Sequence, residues 1–433
     1  MTPAAIGALG IVAMLVLIFW GTPIGVAMGL VGFVGFALMS GLDPALAVLG
    51  IGPFSSVSSY TLTVIPLFVL MGQFAAMSGL SRELYDTANR WLGHRRGGLA
   101  MANVVACGGF AAVCGSSLAT SATMAVVALP EMRRAGYDPK LATGSIAAGG
   151  TLGILIPPSV IFLLYGILPE QSIGKLFLAG VLPGILLVLL YMAAIAIVTW
   201  RNPALGPPTA RVPVRERIVA LRRVWPVLGL FLLVIGGMYV GAFTATEAAA
   251  IGAAGAFLLA FARRAVTWRT LGLALIETVQ TTAMIFGIVI GAILLGFFLA
   301  ITQLPMTIAA AIGGLPLPAN AIMALIILLY LIMGAFMDEL AMVLLTVPIF
   351  FPVAQALGFD PIWFGVIIVV VCEAGMIAPP VGINVFVLAG IAKDVPMKDI
   401  YRGIMPFLWA DVVLLVALMA FPDLALVLPR TMK

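Results

Sequence analysis

Two long apolar runs of this chain are interrupted by paired prolines: Thr151-Leu-Gly-Ile-Leu-Ile-Pro-Pro158 and Glu373-Ala-Gly-Met-Ile-Ala-Pro-Pro380. Each pair removes two backbone donors and so frees carbonyls upstream, around Gly153 to Ile156 and around Gly375 to Ala378. Lipid cannot satisfy those carbonyls, so they must face protein, water or a bound cation. A polar feature precedes each break. Ser116, Ser117 and Thr120 offer hydroxyls in the first half, and Asp338 and Glu339 hold the matching place in the second. Hydroxyls, freed carbonyls and carboxylates form a hard-oxygen set that suits a small cation such as Na+. The expected ion sites are Ser116, Ser117 and Thr120 with Gly153, Ile156 and Pro157, and Asp338 and Glu339 with Gly375, Ala378 and Pro379. Substrate would lie between them, against Ser116, Pro158, Glu373, Pro380 and Asn384. Plainer roles are open to the same residues. Ser116, Ser117, Asp338 and Glu339 suit helix N-termini. The breaks suit packing kinks, and Asn384 suits a helix–helix hydrogen bond.

Intramembrane carboxylates are functional suspects by default. Glu373, beside the second break, is the best placed of three. Glu247, in Thr244-Ala-Thr-Glu247, suits a cap near an outer turn, and Asp411 could pair with a neighbour or face a partner subunit. No Lys or Arg lies deep in a span, so an anionic substrate would need bound cations and positive helix N-termini to offset its charge. Cys107, Cys114 and Cys372 read as free thiols packed between helices. The single histidine, His94, lies in a charged loop, where a solvated or lipid-headgroup contact is expected. No Ser/His pair or His-based metal site can then form within the membrane, which speaks against an intramembrane enzyme. No transition metal and no cofactor beyond a coupling ion is expected.

The elements that must position these groups are membrane helices. Of 433 residues, 63% are hydrophobic and 9% charged, whereas soluble domains run near a quarter charged. That excludes soluble enzymes, nucleic-acid binders and disordered chains. The apolar runs are long and unbroken, unlike the alternating strands of a barrel. They fall at 5–20, 24–40, 61–80, 99–130, 142–167, 176–199, 225–241, 245–262, 275–302, 319–352, 363–390 and 403–427. The start, Met1-Thr2-Pro3, has no positive region and reads as a retained first span.

Basic residues set the topology. Segment 99–130 has Arg82, Arg90, Arg95 and Arg96 before it and Arg133, Arg134 and Lys140 after it. Both ends should face the cytoplasm, so the segment enters and turns back near Ser116. Segment 319–352 has no Lys or Arg in its flanks at 303–318 and 353–362 and should be re-entrant from the other face. Nineteen of the 22 basic residues then lie inside, leaving Lys175, Arg430 and Lys433 outside. The expected fold is all-α and polytopic, with ten crossing helices and two hairpins. Segment 81–96 reads as an interfacial helix on the inner face, with a counterpart at 305–313. Such arms could brace a moving unit against a frame.

The halves repeat at a constant offset of 222 residues. Between 116 and 161, eleven of 46 positions are identical to their counterparts, and seven of those are Gly, Pro or Asp. Each half holds five crossings, an odd number, which inverts the second copy. Inverted repeats with broken helices near the midplane mark secondary transporters, and the breaks point to the binding site. The halves are expected at 1–200 and 225–433, joined by a basic cytoplasmic linker at 201–224. Hairpin 99–130 and broken helix 142–167 fall in the first, hairpin 319–352 and broken helix 363–390 in the second.

These residues resemble the large membrane subunit of tripartite ATP-independent periplasmic (TRAP) transporters, the DctM-like permeases. The resemblance spans essentially the whole chain. It is carried by Gly115-Ser-Ser-Leu-Ala-Thr120, Leu129-Pro-Glu-Met-Arg-Arg-Ala-Gly-Tyr-Asp-Pro139, Gly149-Gly-Thr-Leu-Gly-Ile-Leu-Ile-Pro-Pro158, Tyr165-Gly166, Ser172-Ile-Gly-Lys-Leu-Phe-Leu-Ala-Gly180 and Ala378-Pro-Pro-Val-Gly-Ile-Asn384. One departure is Thr244-Ala245-Thr246-Glu247, where the family often has Thr-Pro-Thr-Glu. The resemblance implies Na+-coupled import of an organic acid by an elevator motion. It implies a small four-helix membrane subunit and a periplasmic substrate-binding protein as partners, and the inner membrane of a bacterium or archaeon. A stand-alone dicarboxylate symporter or ion antiporter shares the architecture and would need no binding protein.

Overall fold

The structure is a computed structural model that describes residues 2–313 and 316–432, and all regular structure among them is helical. Lys433, counted above among the outer cations, lies outside the described residues. Among the described residues eight helices are long and apolar enough to cross a bilayer, with Pro139–Ile167 counted across its break.

The repeat is visible in the helix boundaries. Ser117–Arg134 and Pro139–Leu155 recur as Glu339–Ala356 and Pro361–Ile377, each bound displaced by 222 residues. The cause is local chemistry. Asp138 and Asp360 each precede a proline at the first helical position, where a missing N–H costs nothing. The Asp138 carboxylate accepts the Lys140 N–H (2.8 Å), and Asp360 accepts those of Ile362 (2.8 Å) and Trp363 (3.1 Å). The hairpins are completed by Gly98–Cys114 and Ala319–Gly334. Beyond the breaks come the short arms Val160–Ile167 and Ile383–Ile391, then the long helices Ile173–Arg201 and Met397–Ala420.

The broken helices form the centre of the molecule. Every residue of Leu141–Leu155 and of Ile362–Ile377 is buried. Around them stand helices packed through small residues. Ile24–Ser40 lies along Trp268–Thr302, where a Cβ on Gly25 would sit 2.6 Å from the Gly287 carbonyl oxygen. Lipid supplies no hydrophobic drive between helices, so close backbone approach of this kind provides the packing energy.

The two arms of the sequence analysis are the helices Leu80–Leu92 and Leu304–Gly313. The first buries Leu80, Leu84, Tyr85 and Ala88. It is tied to Val214–Tyr239 by Thr87 Oγ1 donating to the Ala220 carbonyl (3.2 Å) and Trp91 Nε1 to that of Arg217 (3.2 Å). Arg263 pairs with Glu83 at 2.6 Å.

Two segments differ from expectation. Leu42–Val57 is a helix absent from the twelve apolar runs. Asp43, Pro44, Pro53, Ser55 and Ser56 dilute its apolar character, while Leu42, Leu46, Ile51 and Phe54 remain exposed on it. The last run, 403–427, divides into Met397–Ala420 and Asp423–Thr431, since Phe421, the residue before Pro422, leaves the helical region (φ −130°, ψ 77°).

Candidate functional site

The first hairpin tip sits on the first break. Ser116 is the N-cap of Ser117–Arg134, its Oγ accepting the Ala119 N–H at 3.3 Å. Its carbonyl accepts the Thr120 hydroxyl at 2.7 Å. The tip can turn because Gly115 adopts φ +69°, and a Cβ there would approach the Pro158 carbonyl oxygen to 2.7 Å. From the other side, a Cβ on Gly153 would lie 2.5 Å from the Ser116 carbonyl oxygen and 2.8 Å from Thr120 Oγ1. Ser116, Thr120, Gly153 and Pro158 are thus brought into one place. The helix ends at Leu155, and Ile156 is extended, its N–H bonded to the Leu152 carbonyl (3.1 Å).

The second unit is built alike but meets its break one turn earlier. Asp338 is the N-cap of Glu339–Ala356, accepting the Leu340 N–H at 3.1 Å. Gly375 faces Gly334, to whose Cα a Gly375 Cβ would come within 2.7 Å. The Gly382 N–H reaches the Ala335 carbonyl at 3.4 Å. One expectation needs correction. The Gly375 carbonyl is not freed by the prolines, because the Ala378 N–H turns back to it at 3.1 Å. The chain tightens by one residue at the break and recovers that bond. Both breaks contain a cis Pro-Pro peptide, Pro157–Pro158 and Pro379–Pro380.

The halves exchange arms at the centre. Val160–Ile167 packs on the second hairpin's Glu339–Ala356, and Ile383–Ile391 packs on the first hairpin's Ser117–Arg134. The second exchange is sealed by Asn384, whose Nδ2 donates to Ser117 Oγ at 2.7 Å. Tyr165 strengthens the first, donating its hydroxyl to the Pro361 carbonyl (2.6 Å) and setting its ring edge-on to Phe351 and Phe364.

Buried oxygens without partners gather around this centre. Glu373 is fully buried, and among the described residues neither carboxylate oxygen has a hydrogen-bond partner. Glu339 Oε2 and Asn384 Oδ1 are also buried and unpartnered. The carboxyl groups of Asp411 and Glu339 are the titratable neighbours of Glu373. Asp411 is held by a residue the sequence analysis did not single out: Tyr191 donates its hydroxyl to Oδ1 at 2.7 Å and lies 3.3 Å from Thr151 Oγ1. The available signal was a phenol inside an apolar run, which needs a partner when buried. Glu247 is drawn away from the centre into a capping box with Thr244. The three cysteines are buried and free.

An all-helical membrane chain with two hairpins seated on two broken helices has the architecture of the transporter permeases. The family follows from comparison. Residues 11–424 match the family described as "Tripartite ATP-independent periplasmic transporter, DctM component", and the chain belongs to it. It is 40% identical over 402 residues to the C4-dicarboxylate TRAP transporter large permease protein DctM of Pseudomonas aeruginosa, covering 90% of this chain and 93% of that protein. It is 34% identical over 431 residues to the 2,3-diketo-L-gulonate TRAP transporter large permease protein YiaN of Escherichia coli, covering 96% and 99%. Among solved structures, the YdaH transporter of Alcanivorax borkumensis is similar with a TM-score of 0.64 at 15% identity, over 88% of this chain and 89% of that one; it shares the fold. By that description the chain is one component of a tripartite periplasmic transporter.

Proposed function

We propose that this chain carries an organic acid inward across the inner membrane of a bacterium or archaeon, coupled to Na+. The halves 1–200 and 225–433 act as inverted repeats around the linker 201–224, with their hairpins entering from opposite faces. One Na+ is held where Ser116, Ser117 and Thr120 meet Gly153 to Pro157, and another where Asp338 and Glu339 meet Gly375 to Pro379. Substrate binds between them, against Ser116, Pro158, Glu373, Pro380 and Asn384. The hairpins and broken helices move as one unit in an elevator step, and the amphipathic arms brace that unit against the frame. A four-helix subunit completes the membrane part, and the binding protein delivers the substrate.

The observation that carries this reading is the seating of each hairpin on its own break, with unpartnered oxygens of Glu339, Glu373 and Asn384 around the exchanged arms. Buried oxygens of that kind are costly unless a ligand or cation meets them. The two relatives are permeases for a C4-dicarboxylate and for 2,3-diketo-L-gulonate, which supports the organic-acid class.

Uptake into proteoliposomes tests it. The chain, its small partner and the binding protein are reconstituted, a Na+ gradient is imposed, and a panel of organic acids is offered with one component omitted at a time. Uptake should require Na+ and all three proteins. Uptake by this chain alone would make it a stand-alone symporter, and uptake indifferent to Na+ would remove the ion sites.

A further inference from the structure

Cationic side chains converge where the first arm ends, and the transport function proposed above uses none of them. His94 lies just beyond Leu80–Leu92, with Arg217, Arg211 and Arg95 as its charged neighbours. Arg217 is only 8% exposed. Its Nε donates to the Val212 carbonyl at 2.9 Å, but its Nη2 is buried and has no partner among the described residues. Nδ1 of His94 is also buried and unpartnered. Among the described residues, Arg95, Arg96, Arg211 and Arg217 form no ion pair, and Glu216, next to Arg217, is taken by Arg90 at 3.4 Å. The linker is laced over this cluster. Thr209 N–H bonds the Gly93 carbonyl and Gly97 N–H the Gly206 carbonyl, both at 2.8 Å. A buried guanidinium with an unmet donor calls for an anion.

Arg95 also borders a groove of about 530 Å³, where Arg95 and Arg96 stand over Met101, Ala196, Ile197 and Trp200. The floor is apolar. Ile197 and Trp200 are exposed at the end of the long span Ile173–Arg201. A tryptophan there marks the headgroup level, and the surrounding basic loops place that level on the cytoplasmic side. The groove therefore joins an unpaired cationic cluster to an apolar helix face.

We infer that this groove and cluster bind an acidic phospholipid of the cytoplasmic leaflet. Its phosphate lies among Arg95, Arg96, Arg217 and His94, and its acyl chains run over Met101, Ala196 and Ile197. Basic pockets beside spans on this side of a membrane take such headgroups. A soluble phosphate would answer the arginines but leave the apolar floor uncovered. The lipid would tie the arm, the linker and the entry to the first hairpin together, since all three meet at Gly93 to Gly98.

The test uses the full chain in phosphatidylcholine nanodiscs, with phosphatidylglycerol added. Native mass spectrometry reads retained lipid, and NMR reads His94, the chain's single histidine. Partial burial, and then the nearby Arg217, Arg211 and Arg95, hold the His94 imidazole below its usual value. A phosphate among them offsets that repulsion, so phosphatidylglycerol should raise the His94 titration midpoint and bind tighter as pH falls. Replacing Arg95 and Arg96 together by Ala should weaken retention roughly 30-fold. Equal retention of both lipids, or an unmoved His94 midpoint, overturns the proposal. So does inorganic phosphate that moves the midpoint as far as the lipid does, which would mark a soluble-anion site. If the double variant fails to fold, the titration of the unaltered chain decides.

Discussion

Asn384, from the second half, donates through Nδ2 to the Ser117 hydroxyl at the first hairpin tip, 267 residues away, at 2.7 Å. Both side chains are fully buried. The bond joins a residue proposed to face substrate to one proposed to face an ion, so the two proposed roles share one contact. Ser117→Ala and Asn384→Ala should each cost on the order of 1 kcal/mol, and the double variant little more than the worse single. Thermal unfolding in detergent measures this, and additive losses would mean the two side chains act apart.

Gly153 is the point where the first break touches the first tip. Its Cβ position is closed by the Ser116 carbonyl and Thr120 Oγ1. Gly153→Ala should therefore push the tip off the break, lowering stability by about 1–3 kcal/mol and abolishing uptake. Gly390→Ala is the control, since nothing lies within 4 Å of a Cβ there. If the two variants behaved alike in melting and uptake, the tip contact would be irrelevant.

Capping and ion binding can be separated at Asp338. Asn caps a helix about as well as Asp, so Asp338→Asn should leave the melting temperature nearly unchanged. It should raise the Na+ concentration needed for half-maximal uptake by roughly tenfold, a loss of about 1.4 kcal/mol of cation binding. An unaltered Na+ dependence would leave Asp338 with a capping role alone.

Among the described residues, Tyr191→Phe removes the only hydrogen bond to the buried Asp411 carboxylate, whose second oxygen already lacks a partner. The orphaned group should cost about 1–3 kcal/mol in thermal unfolding. Asp411→Asn keeps an acceptor for the phenol and should cost less. The reverse order would show that the negative charge itself matters more than the hydrogen bond.

Much of the fold was legible because membrane helices announce themselves locally. Asp138-Pro139 and Asp360-Pro361 start helices by capping, and Pro157-Pro158 and Pro379-Pro380 stop them by withholding donors; both are nearest-neighbour effects. The helix Leu42–Val57 was not legible, because prolines and serines within it hide a helix whose apolar residues lie on its outer face. The Gly375 carbonyl is bonded despite the prolines, because a chain freed of one helical bond can reach back for a tighter one.

The sequence by itself determined the class of protein, the 222-residue repeat, the places where helices break and the residue types at the hairpin tips. Each of these depends on composition or on neighbours along the chain. Tertiary structure alone decided the partners: Asn384 with Ser117, Tyr191 with Asp411, Tyr165 with Pro361, and each short arm with the opposite hairpin. These contacts join residues about 200 or more positions apart. No local rule couples such positions; they meet because the two halves must bury their broken helices against one another.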